Sequence, residues 1–211
     1  MCARAAIALR GFPNPFSWRN APQAFVRTSD DSFTLVAGAK TDLFTDPRGA
    51  VVVDNAPQLL FRPATADADN FVLSARVSVD FAATYDAGAL LIYNDPRNWA
   101  KLCLEYAPPP QQQPTIVSVI TKTFSDDCNS SAVAGNSVYL RVARLGNACA
   151  MHYSTDAVAG HWHLVRYFAL GKLDKLRVGF AAQSPTGQQC SVVFDEIRFE
   201  SRTLADIRSG E

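Results

Sequence analysis

Apolar and polar residues alternate one by one along most of this chain, and the spacing of three to four that marks an amphipathic helix is nearly absent. From Phe71 to Phe81, the residues Phe71, Leu73, Ala75, Val77 and Val79 point one way, while Ser74, Arg76, Ser78 and Asp80 point the other. A strand with one apolar and one polar face belongs to an antiparallel sheet that is half buried. Val138, Leu140 and Val142 alternate in the same manner with Tyr139 and Arg141, and Leu176, Val178 and Phe180 with Arg177, Gly179 and Ala181. Further strands are predicted over 24–28, 33–37, 50–53, 58–61, 87–93, 99–106, 115–123, 148–153, 161–169 and 190–199. Turn chemistry separates them at Asp46-Pro47-Arg48-Gly49, Asn94 to Asn98, Leu145-Gly146-Asn147 and Ser184-Pro185-Thr186-Gly187. A dozen or more short strands predict an all-β fold, a two-sheet antiparallel sandwich, with helix limited to a turn or two at Thr203 to Ile207.

Composition narrows the class. The 211 residues suit one domain over 1–211, and 48% hydrophobic residues are enough for a sizeable core. Twenty basic residues balance twenty acidic ones without a basic cluster, which argues against a nucleic-acid partner. No apolar run approaches the ~20 residues that span a bilayer, so no membrane partner is expected. Met1 to Leu9 lacks the apolar stretch of a secretory leader. The five cysteines, Cys2, Cys103, Cys128, Cys149 and Cys190, are odd in number and show no CxxC spacing. Free thiols in a cytoplasmic setting, with no disulfide, metal or cofactor, are the expectation. The run PPPQQQP from Pro108 to Pro114 reads as an extended surface loop.

Candidate chemistry sits on the polar sides of the strands. Alternation places Trp99, Lys101, Cys103 and Glu105 opposite Ala100, Leu102, Leu104 and Tyr106. Lys101 and Glu105 share a face but stand about 13 Å apart by strand rise, so they need a bridging neighbour to communicate. Tyr139 and Arg141 share the polar face of their own strand, and Gly179 and Ala181 would leave space above the sheet. Trp162 with Arg166 forms a second set of this type, although Trp162 also fits the edge of the core. Planar donors fix hydroxyl or carboxylate groups, and aromatic faces stack on sugar C–H surfaces. The expected site is therefore one concave face carrying Trp99, Lys101, Glu105, Tyr139, Arg141 and Arg166, with a carbohydrate or another small polar molecule as ligand.

Other signals are weaker. His161-x-His163 puts two imidazoles on one side of a strand without a third ligand. Asp126-Asp127-Cys128-Asn129 and Asp67-Ala68-Asp69-Asn70 lack calcium-loop spacing and read as turn caps. A glycan-cleaving enzyme would use Glu105 as its acid or base, and a nearby Lys101 or Arg141 would favour base or nucleophile. Its second carboxylate is missing from the same strand. A regulatory role, with the proline–glutamine loop engaging a protein partner, is the third reading.

Several short motifs follow one another in order: Phe16-Ser17-Trp18, Thr41-Asp42-Leu43-Phe44, Tyr85 to Leu91, Asn98-Trp99-Ala100-Lys101 and Glu105-Tyr106. After them come Ser118 to Thr121, Tyr139 to Arg144, Tyr153-Ser154, Trp162 to Arg166 and Val178 to Pro185. This series resembles the concanavalin-A-like family of uncharacterised domains grouped as regulation of enolase, over most of residues 15–200. The resemblance implies a jelly roll of the concanavalin-A-like lectin and glucanase type, whose concave sheet binds glycans in relatives, and it implies no catalytic activity. The family's Ser-Asp-Trp reads Ser125-Asp126-Asp127 here, and a long proline–glutamine loop replaces its short Gly-bearing turn.

Overall fold

A computed structural model describes residues 6–63, 70–156 and 160–211. Among the described residues sixteen strands succeed one another: β1 (Ser17–Arg19), β2 (Ala24–Arg27), β3 (Phe33–Gly38), β4 (Leu43–Thr45), β5 (Val52–Asp54) and β6 (Gln58–Phe61). Then come β7 (Phe71–Asp80), β8 (Ala87–Asp95), β9 (Asn98–Tyr106), β10 (Pro114–Lys122) and β11 (Phe124–Ala132). The last five are β12 (Ser137–Leu145), β13 (Ala148–Ser154), β14 (His163–Phe168), β15 (Arg177–Gln183) and β16 (Gln189–Glu200). The first sheet runs β1-β6-β15-β8-β9-β10-β11 and the second β14-β13-β12-β7-β16-β3-β2, with β4-β5 as a separate hairpin. The fold is the expected all-β, two-sheet antiparallel sandwich.

The predicted period of two sets the core. Phe71, Leu73, Ala75, Val77 and Val79 on β7, Leu140 and Val142 on β12, and Leu102 and Leu104 on β9 are all buried between the sheets. Phe33, Phe180 and Phe194 interlock there, with ring centroids 5.1–5.3 Å apart. A second apolar cluster lies outside the sandwich. Leu43 of β4 and Ala56 pack onto the outer face of the first sheet, over Leu60, Ala89, Leu91, Tyr93, Trp99, Cys103 and Val117. The β4-β5 hairpin is thus a flap that shields what alternation alone would leave to solvent.

Four local expectations change. Asp126 to Asn129 are not a turn cap; they belong to β11, the edge strand of the first sheet. The space expected above Gly179 is taken by β6, because a Cβ there would fall 2.0 Å from the Leu59 carbonyl oxygen. The loop before Pro114 is compact rather than extended, closed by Ala107 N donating to Gln113 O at 3.0 Å. The tail makes one turn later than expected, where Gly210 N donates to Asp206 O at 2.9 Å. The other acidic loop is only partly visible, since Asp67 to Asp69 lie outside the described residues. Among the described residues, Cys103, Cys128, Cys149 and Cys190 are free thiols, no group of side chains is arranged to hold a metal, and no helix is long and apolar enough to cross a membrane.

Candidate functional site

The sandwich separates the residues expected on one face. Trp99, Lys101 and Glu105 project from β9 to the outer side of the first sheet. Tyr139 and Arg141 project from β12 to the outer side of the second sheet, with the whole core between the two groups. Parity along each strand was read correctly, but parity alone does not say which sheet a strand joins. Arg166 on β14 lies in neither group. Its Nη2 meets Asp126 Oδ2 at 3.4 Å, tying the edge strands of the two sheets together. Trp99 is 1% exposed beneath the flap cluster, so it is packing rather than a stacking platform.

Lys101 and Glu105 do form a site. They line a cleft of about 320 Å3 with Asp42, Phe44, Tyr85, Asp127 and Gln183. Several separate parts of the chain build it. The floor is β9 and the end of β15, one wall is the segment entering β4, and the other is the loop before β8. Cross-strand register aligns Lys101 on β9, Val119 on β10 and Asp127 on β11 in one row. The bridge that the 13 Å gap demands is Gln183. Lys101 Nζ donates to Gln183 Oε1 at 2.7 Å, and Gln183 Nε2 donates to Tyr85 O at 3.1 Å and Glu105 Oε2 at 3.4 Å. Lys101 Nζ also reaches Asp42 Oδ1 at 3.3 Å.

The Tyr85 rim is held by local hydrogen bonds. Buried Asp86 accepts from Ala82 N at 2.9 Å, Ala83 N at 2.8 Å and Ser184 Oγ at 2.7 Å. That clamp holds Tyr85 at φ 68°, a left-handed conformation uncommon outside glycine, and the residue is 39% exposed at the mouth.

Electrostatics give the two charged residues different states. Lys101 is 3% exposed; burial is the largest influence and works against its charge, but Asp42, Cys103 and Glu105 together outweigh it and hold the ammonium above its ordinary value. Glu105 is 8% exposed, and burial pushes its carboxyl up to about 8 despite Lys101, with Asp127 and Asp42 adding to the rise. The sequence-based expectation that a neighbouring cation would favour a base is therefore reversed, because desolvation exceeds the attraction of Lys101. The cleft offers a carboxyl that is protonated near neutral pH, an ammonium, a bridging amide and the side chains of Asp42 and Asp127 around a half-open aromatic mouth. These are donors and acceptors suited to hydroxyl groups. Asp42, Asp127, Gln183, Phe44 and Tyr85 were not singled out from sequence. Asp42, Phe44, Tyr85 and Gln183 stood within the family-like motifs without a role given to them, and no periodicity shows which loops fold over a sheet.

A wider hollow of about 640 Å3 opens at the end of the same sheet against Tyr93, whose ring lies between Arg19 and Arg177, 4.9 and 5.1 Å from their guanidinium carbons. None of the expected site residues reaches it.

Residues 18–202 match a family described as a protein of unknown function (DUF1349). No curated protein matches the sequence. A functionally unknown protein from Saccharomyces cerevisiae has a similar structure, with a TM-score of 0.77 and 21% identity over 89% of this chain and 96% of the other. The GH43 protein BlXynB from Bacillus licheniformis matches with a TM-score of 0.63 and 14% identity, over 87% of this chain and 40% of that protein. A xylan beta-1,4-xylosidase from Bacillus halodurans matches with a TM-score of 0.60 and 14% identity, over 87% of this chain and 38% of that protein. The chain thus spans about two fifths of these glycoside hydrolases, and at such identities the likeness is one of fold.

Proposed function

The chain belongs to the DUF1349 family of proteins of unknown function, and from that premise we propose that it binds a carbohydrate or a similar polar ligand in the cleft over the first sheet. The observation that carries this reading is the Lys101–Gln183–Glu105 chain on the floor of that cleft, beneath the exposed Tyr85. A buried, connected polar row costs desolvation and leaves hydrogen-bonding capacity that a polyhydroxylated ligand can use. Carbohydrate-acting neighbours of the same fold support the choice of ligand class by analogy only. The ordered motifs support a likeness to the domains grouped as regulation of enolase, and we assign the chain no role towards enolase. Buried, unpaired thiols fit a reducing cytoplasm.

One observation favours a second reading, a glycan-cleaving site. Glu105 is protonated near neutral pH and shares the cleft with the carboxylates of Asp42 and Asp127, an arrangement that would let Glu105 serve as general acid. A glycan array with a parallel hydrolysis screen of xylo-oligosaccharides separates the two. The binding reading expects an array hit that is weakened about tenfold or more in Tyr85→Ala, a rim change away from the core, and in Glu105→Gln, without sugar release. Sugar release lost in Glu105→Gln establishes the enzyme instead. No hit, or a hit held equally by both variants, overturns the cleft as a glycan site.

A further inference from the structure

The opposite face of the sandwich carries a second polar pocket, of about 480 Å3, lined by Ser74, Arg141, Trp162 and Arg198 among others. Two neighbouring rows of the second sheet differ there. In one row, Tyr139, Arg76 and Asp195 lie in register across β12, β7 and β16. Every charge in it is matched. Arg76 donates to Asp195 at 2.8 and 2.6 Å, and the Tyr139 hydroxyl donates to Glu196 at 3.0 Å. In the next row, Arg141, Ser74 and Arg198 are in register on the same three strands. Two guanidinium-bearing strands flank one serine, about 10 Å apart at two strand spacings.

A β-bulge makes this second row. The register of β16 against β7 shifts between Asp195 and Arg198, and Glu196 takes φ 49°. One extra residue turns Asp195 and Glu196 both outward, returns Ile197 to the core, and sets Arg198 opposite Ser74. Bulges of this type re-aim side chains beside functional sites.

Glu196 and Glu200 also line the pocket, but each is ion-paired with another arginine. Glu200 is paired with Arg202 at 3.2 Å, and Glu196 with Arg76 at 3.6 Å. Among the described residues, neither Arg141 nor Arg198 has a carboxylate partner. Arg141 is 92% removed from solvent. Its Nη1 donates to Gly210 O, its guanidinium carbon lies 3.7 Å from the Trp162 ring centroid, and its buried Nε has no acceptor. Burial and Arg202 push its guanidinium down to about 10, against the weaker attraction of Glu200. A positive group held this way favours an incoming anion.

We propose that this row is a second ligand site, in which a small acidic molecule places its carboxylate or phosphate between Arg141 and Arg198, above the Ser74 hydroxyl. Planar guanidinium donors match the geometry of either oxyanion, and the pocket has room for a molecule of monosaccharide size. The site is independent of the cleft on the other face and does not require that reading to hold.

Isothermal titration of the whole chain with glucuronate, glucose 6-phosphate, inorganic phosphate and uncharged glucose tests the site, with backbone NMR shifts locating each binder. Saturable binding of a charged probe is expected, with shifts at Ser74 and Arg198 and an affinity that falls as salt rises. The probe that binds identifies the oxyanion. Arg198→Ala, an exposed change that leaves melting near wild type, should weaken it about tenfold or more. Lys101→Met, on the other face, should leave it unchanged if that variant folds, and Tyr85→Ala serves the same purpose if it does not. No saturable binding of a charged probe, equal binding of glucose, or undiminished binding in Arg198→Ala overturns the proposal.

Discussion

Replacing Glu105 by Gln should make the protein more stable than the wild type, increasingly so as pH rises. Glu105 is walled in by Lys101, Gln183 and the flap, and burial raises its carboxyl from 4.5 to about 8. The direction of the effect follows from linkage. In the unfolded chain the group loses its proton near its ordinary value, whereas in the folded chain it keeps the proton until about pH 8. Between those two values the folded state binds more protons, so stability falls as pH climbs; below the lower value the group contributes no penalty. A tenfold change in proton activity is worth about 1.4 kcal/mol, so the whole interval amounts to at most about 5 kcal/mol. Solvent entry at the cleft mouth reduces that figure, and about 2–4 kcal/mol is expected. Gln keeps the shape and a hydrogen bond to Gln183 but carries no charge, so its stability should not fall through this window. Urea denaturation of both proteins at about pH 5 and about pH 9 reads the difference directly. Curves that stay parallel across the range, or a wild type that gains on the variant above neutrality, would refute the argument that desolvation dominates at Glu105.

Three further outcomes follow from the packing. Gly179→Ala should destabilise the fold by about 1–3 kcal/mol in denaturant titration, because its Cβ would meet the Leu59 carbonyl oxygen at 2.0 Å; an unchanged midpoint would mean that β6 can retreat. Among Cys103, Cys128, Cys149 and Cys190, only Cys128 should label rapidly in the native protein, since the other three are buried with their thiols held well above the ordinary value; peptide mass spectrometry after brief alkylation checks this, and Cys103 labelling at the rate of Cys128 would contradict it. Arg141→Ala should loosen the C-terminal segment, because Arg141 holds the Gly210 carbonyl and stacks on Trp162. Faster hydrogen exchange at 206–211 is expected, with a stability loss of about 1–3 kcal/mol.

Strand positions and core sides were legible wherever one face of a strand is apolar, as in β7, β9, β12 and β15. Slipping any of these by one residue would bury charge, so the pattern permits one register. Three strands escaped. β1 and β4 have only three residues each, and β11 is polar on both sides because it is an edge strand whose outward groups meet water. The site was half legible for a related reason. Alternation placed Lys101 and Glu105 together and correctly required a bridge between them. It could not reveal that the bridge is Gln183 from β15, since neighbours in a sheet are set by long-range pairing rather than local period. Arg141 was grouped with the β9 residues although it stands on the other sheet, because β9 and β12 carry the same alternation on opposite layers of the sandwich.

The central claim is that the cleft over the first sheet, not the larger hollow beside Tyr93 or the opposite face, receives the neutral polar ligand. Backbone NMR shift mapping during titration with the best uncharged oligosaccharide from the glycan array tests it most directly. A contiguous set of shifts is expected at Asp42, Tyr85, Lys101, Glu105, Asp127 and Gln183, lost in Tyr85→Ala. Shifts gathered instead around Tyr93 and Arg177, or around Ser74 and Arg141, with the cleft silent, would contradict it.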